Sequence, residues 1–252
     1  MAKIVVFDSG LGSLSIIKAI QKKCKSDIIY FADQKNFPYG NKSKKQLETI
    51  IKQTIRLLED NFSPDIIVMA SNTPSLMVKV STKKVIGVNP PLREAMSLSK
   101  TENIAILGTQ SVIKSKSLSN YIKKFNFSED KKIWKIDSSF LVELIESNKF
   151  ITDKTFCIKI IRNTLTDIFS NNVDVATLSS THLSFLKSLL SLEFPDVKFV
   201  DPADIIAEKV TAKIKKNSKK NTMKIFTSGN VKLYTKKLHK LGIQNKVTFL
   251  TT

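Results

Sequence analysis

With 252 residues, 42% hydrophobic and 25% charged, the chain has the balance of a soluble globular protein and can bury a substantial core. Two cysteines, Cys24 and Cys157, exclude a disulfide framework and a cysteine-rich metal site, and no apolar run approaches membrane-spanning length. The net charge of +19 raises nucleic acid as a partner, but only Arg56, Arg93 and Arg162 are arginines. The lysines spread over nearly every expected surface helix, which makes a poor set for reading phosphates. Nucleic acid is therefore the lesser expectation, and a membrane partner is not expected.

Strand-like runs start at Lys3–Phe7, close enough to the N-terminus to leave no room for a signal peptide. A cytoplasmic location is expected. Further runs follow at Asp27–Phe31, Asp65–Ala70, Val85–Val88, Asn103–Leu107, Lys132–Ile136, Asp174–Leu178, Lys198–Val200 and Lys224–Phe226. Between them, segments such as Ser43–Glu59 and Asp153–Ser170 carry apolar residues at helical spacing with lysines opposite. Alternating strands and helices predict an α/β protein with mainly parallel sheets and right-handed crossovers. The charged run Lys213–Lys224 reads as a solvated loop.

One run decides the rest of the reading. Asp65 to Ser75 is DIIVMASNTPS, a buried strand that breaks into Ser71, Asn72 and Thr73 before Pro74. Ligands of open α/β sheets sit beyond the carboxyl ends of the strands, so short hydroxyl and amide side chains there make a candidate cradle. Taken alone, such a stretch is also what an ordinary N-capped loop looks like. Asp174 to Ser184, DVATLSSTHLS, repeats the pattern with the same spacing from aspartate to serine, and Ser180, Thr181 and His182 end it. IVVFDSG and IAILGTQS open the two halves, and VIGVNPP and VKFVDPA close their strand series. Two pseudo-symmetric doubly wound domains are expected, residues 1–97 with 207–252 and residues 98–206, with the active-site cleft between them.

Taken together, FDSGLGSLS, IIYFADQKNFPYGNKS, ASNTPS, VIGVNPP, ILGTQSVIKS, SSTHLS, VDPA and FTSGN resemble the glutamate racemase family over nearly the whole chain. The resemblance implies cofactor-independent interconversion of L- and D-glutamate, with no metal, and a homodimer as the expected assembly. In that family one cysteine at each cradle strand exchanges the substrate α-proton. Inversion needs a base on one face and an acid on the other, and a thiol pKa of about 8.5 suits both tasks. Here the matching positions are Ser71 and Ser180. By the same resemblance Asp8, His182 and Glu146 complete the catalytic set, while Ser9, Tyr39, Gly40, Asn72, Thr73 and Thr181 contact substrate. For Tyr39 the alternative is a turn aromatic that packs locally.

A hydroxyl is a far weaker acid than a thiol and needs an adjacent base to act. Racemisation impaired or silent as written is the expectation, and the alternative is a non-catalytic glutamate-binding or regulatory protein. Pro74, Ser179, Leu183, Ser184 and Ser13 also depart from the family pattern. Those departures favour native divergence over deliberate replacement of two thiols.

Overall fold

The computed structural model describes residues 2–125, 132–214 and 218–251. The chain divides into two compact units, Met1–Val88 with Ala203–Thr252, and Asn89–Pro202.

The first unit holds strands β1 (Lys3–Asp8), β2 (Asp27–Ala32), β3 (Ile66–Met69) and β4 (Val85–Gly87). The second holds β5 (Asn103–Gly108), β6 (Lys132–Asp137), β7 (Val175–Leu178) and β8 (Lys198–Val200). The chain then supplies β9 (Thr222–Thr227) and β10 (Val247–Phe249) to the first unit. The strand orders are β10-β9-β2-β1-β3-β4 and β6-β5-β7-β8, and each pairing is parallel. The expected parallel α/β class is the observed one.

Each four-strand set is built the same way. β1 lies between β2 and β3, and β5 lies between β6 and β7. At the strand exits, Ala70 N–H donates to Phe7 O and Ser179 N–H to Leu107 O, both at 2.8 Å. Asp33 N–H donates to Asp8 O and Ser138 N–H to Gly108 O, again both at 2.8 Å. At the strand entries, Asp65 accepts Lys3 N–H at 2.8 Å, and Asp174 accepts Lys100 and Thr101 N–H groups at 2.6 and 3.1 Å. The repeated sequence pattern is thus a repeated set of backbone bonds.

The central strands read as continuous apolar runs because both of their faces are covered. Ile4, Val5, Val6 and Phe7 are fully buried, as are Ala105, Ile106 and Leu107. Each large side chain so buried contributes about 1.5–3 kcal/mol of transfer free energy. Helix Lys44–Phe62 starts at a capping box, in which Ser43 and Gln46 bond each other's backbone N–H, and buries Leu47, Ile51, Ile55 and Leu58. These pack with Val5, Phe7, Phe31, Tyr39, Ile67 and Met69 on one side of the first sheet. Helix Leu92–Leu98 lies in the second unit, where Ala95 packs with Ile104 and Val175.

Two details differ from the expectations. β10 has only three residues, too few for a periodicity to show, and it forms because β9 offers it a parallel edge. β9 begins at Thr222, and helix Pro202–Lys213 precedes it, so the charged loop is shorter than expected. Residues 215–217 of that run lie outside the described residues.

Candidate functional site

In the first unit, β1 ends at Asp8, which is buried, and Ser9 follows. Asp8 Oδ1 accepts the Ser9 N–H at 2.7 Å. The Tyr39 N–H donates to Ser9 Oγ at 3.3 Å, and the Gln34 side-chain amide donates to Ser9 O. Tyr39 is itself buried in the core, and its hydroxyl donates to Asp33 at 2.9 Å. Burial, followed by the charges of Asp33 and Asp8, raises the Tyr39 phenol well above its ordinary value near 10. The phenol therefore stays a neutral donor committed to Asp33.

β3 ends one residue short of Ala70, and Ser71 caps the short helix Asn72–Met77 with extended backbone, φ −141° and ψ 130°. Its side chain makes no capping bond. The Ser71 carbonyl instead accepts Ser75 Oγ at 2.7 Å, and Ser75 Oγ accepts the Val88 N–H at 2.8 Å, tying the end of β3 to that of β4. Pro74 sits in the first turn of the helix, where its missing N–H costs nothing. Asn72 is 3% exposed, and neither atom of its amide has a partner among the described residues. Thr73 beside it is buried.

In the second unit, Ser180 follows β7 with φ −133° and ψ 127° and caps the helical turn Thr181–Leu186, again with no capping bond from its side chain. Thr181 and His182 are buried. His182 Nε2 lies 2.7 Å from Glu146 Oε1, and each side chain is 10% exposed. Behind Ser180, the hydroxyls of Thr177 and Ser179 are 2.8 Å apart.

Asp8, Ser9, Tyr39, Gly40, Ser71, Asn72 and Thr73 thus lie in the first unit, and Glu146, Ser180, Thr181 and His182 in the second. Both cysteines are buried, in helices Ser13–Lys23 (at its C-cap) and Lys154–Phe169. Burial, with Asp153 nearby, raises the Cys157 thiol, so it is a poor nucleophile. Among the described residues no group of three His, Cys, Asp or Glu is placed to hold a metal, and no helix is long and apolar enough to cross a membrane.

No family model matches the chain. A glutamate racemase from Sulfurihydrogenibium is 30% identical over 212 residues, covering 81% of this chain and 80% of the relative. The chain belongs to the glutamate racemase family. Solved structures of racemases share its fold: an isoform from Bacillus anthracis has a TM-score of 0.87 at 22% identity, covering 99% of this chain and 97% of that one. A glutamate racemase from Francisella tularensis, solved in complex with D-glutamate, has a TM-score of 0.81 at 22% identity over 99% and 97% of the two chains.

Within this racemase-family chain, the sequence reading passed over Asp33 and Ser228. Asp33 is fully buried at the exit of β2, and Ser228 at the exit of β9 donates to it at 2.9 Å. The available signal was positional. Asp33 follows an apolar strand as Asp8 does, and Ser228 lies in FTSGN, but nothing in the sequence pairs two residues so far apart.

Proposed function

We propose that this chain binds glutamate as a member of the racemase family and that its racemisation is impaired or silent as written. By the family resemblance, Ser71 of the first unit and Ser180 of the second take the two positions that hold thiols in racemases. By the same resemblance Asp8 assists Ser71, and His182, bonded to Glu146, assists Ser180. Ser9, Asn72, Thr73, Thr181 and the Tyr39–Gly40 turn supply hydroxyls and amides for the amino-acid zwitterion.

The observation that carries this reading is Asn72. A buried amide with no hydrogen-bond partner among the described residues costs about 1–3 kcal/mol, which a polar ligand that engages it would offset. Its position next to Ser71, at a strand exit that the second unit repeats at Ser180, supports a pocket for a small polar acid.

Removing the proton-transfer groups should leave binding and lower turnover. A matched acid or base contributes about 10²–10⁴-fold, and here both faces lose theirs. Calorimetry with L- and D-glutamate, run beside a chiral assay of racemisation, tests the proposal. Heat with glutamate and turnover at least about 10²-fold below that of a variant carrying both thiols supports it. Absence of heat with either enantiomer, with DNA retained at physiological salt, would replace it by the regulatory reading based on the basic surface.

A further inference from the structure

Asp33 has no role in the chemistry proposed above, yet it is a fully buried carboxylate that gathers donors from three directions. Tyr39 Oη and Ser228 Oγ each donate to it at 2.9 Å, and Asn36 Nδ2 reaches its two oxygens at 2.9 and 3.0 Å. Its own N–H donates to Asp8 O at 2.8 Å.

Ser228 arrives there because β9 pairs with β2 in parallel, with Ala32 opposite Thr227. The Ser228 N–H donates to Ala32 O at 3.1 Å, and its hydroxyl accepts the Lys35 N–H at 3.1 Å. The next residue is Gly229, where a Cβ would meet Gln34 Cβ at 2.5 Å, so only glycine lets the two loops touch. Residues 34–39 are thereby held from one side by Asp33 and the exit of β9. On the other side they bond Ser9, through the Gln34 amide and the Tyr39 N–H.

We propose that Asp33 is a positioning residue for the candidate site, clamping residues 34–39 with Ser228 so that the Tyr39 N–H and the Gln34 amide fix the Ser9 hydroxyl and carbonyl. The inference rests on the glutamate-binding reading. A carboxylate only accepts, which suits a point where hydroxyl and amide donors converge. Asparagine there turns one acceptor into a donor facing other donors. The turn then loses its anchor, and a shift of about 1 Å at a binding group can cost roughly 10²-fold.

The test compares the intact wild-type chain with Asp33→Asn and Ser228→Ala, reading L-glutamate affinity by calorimetry and amide hydrogen exchange by NMR. Asp33→Asn should weaken glutamate binding by about 10- to 100-fold. It should also speed exchange of the Tyr39 amide by about tenfold or more relative to Val5 and Val6 in β1. Ser228→Ala should do both more weakly. If Asp33→Asn does not fold, Ser228→Ala decides on the same two readings. Unchanged affinity overturns the inference, as does lost affinity with Tyr39 exchange unchanged, or with Val5 and Val6 accelerated equally. Wild-type protein that gives no heat with glutamate overturns the binding reading itself, and so is distinguished from failure of the positioning role alone.

Discussion

Ser71 and Ser180 leave their strands in the same backbone conformation, φ −141° and ψ 130° against φ −133° and ψ 127°, and each holds the N-cap position of a helical turn without a side-chain capping bond. Serine is a favoured N-cap because its oxygen normally accepts a backbone N–H from the first turn. Here two serines at equivalent strand exits both decline that bond. Their hydroxyls are therefore not committed to helix capping, which is the geometry a proton-transferring or substrate-contacting group needs.

Asn72 provides the first prediction. With both amide atoms unpartnered among the described residues, Asn72→Ala removes a desolvation cost rather than a hydrogen bond. Urea unfolding should show stability unchanged or raised by about 1 kcal/mol, while calorimetry shows glutamate affinity reduced about tenfold or more. Loss of stability together with unchanged affinity would assign Asn72 a structural role.

The Glu146–His182 contact behaves differently. It is short, at 2.7 Å, and largely shielded from water. With Glu146 ionised, His182 Nε2 donates, which fixes the orientation of the ring. Glu146→Ala removes this short shielded contact and should cost about 1–3 kcal/mol in urea unfolding. Glu146→Gln keeps an acceptor oxygen and should cost less. Equal stability for all three proteins would show that the contact does not hold in solution.

The internal repeat accounts for what was legible. The strands around Ser71 and Ser180 stood out because parallel strands buried on both faces need uninterrupted apolar runs, and Ile66–Met69 and Val175–Leu178 have them. Helix Lys44–Phe62 was visible through its amphipathic spacing, and Ser43 with Gln46 marks its start. The family motifs then supplied the candidate residues, including Glu146, 36 residues before the histidine it contacts. Asp33 and Ser228 escaped notice because 195 residues separate them and only the β9–β2 pairing joins them. Tyr39 was ambiguous for a physical reason: one residue both packs in the core and offers its N–H to Ser9.

Asp174 gives a pH prediction. Burial pushes its carboxyl upward, but the Ser99 hydroxyl and the Lys100 and Thr101 donors outweigh that and hold it below its ordinary value. A group with a lowered folded-state pKa adds stability above its unfolded pKa, and loses it as pH falls through the folded value. Wild type should therefore melt above Asp174→Asn at pH 7, with the gap closing below the ordinary aspartate value of about 3.9. A gap that widens on acidification would contradict this assignment.

The central claim is that the binding shell is retained and only the proton-transferring groups are missing. Its most direct test is exchange of the glutamate α-proton with solvent deuterium, followed by NMR, in wild type, Ser71→Cys, Ser180→Cys and the double variant. Thiol and hydroxyl differ little in size, so the replacements should be structurally mild. The double variant should exchange the α-proton of both enantiomers, slowly, since Pro74 and Ser179 flank the new thiols and a displacement of about 1 Å can cost roughly 10²-fold. Each single variant should do less, because one thiol serves one face. A folded double variant that binds glutamate yet incorporates no deuterium over days would contradict the account and leave a binding protein on a racemase scaffold.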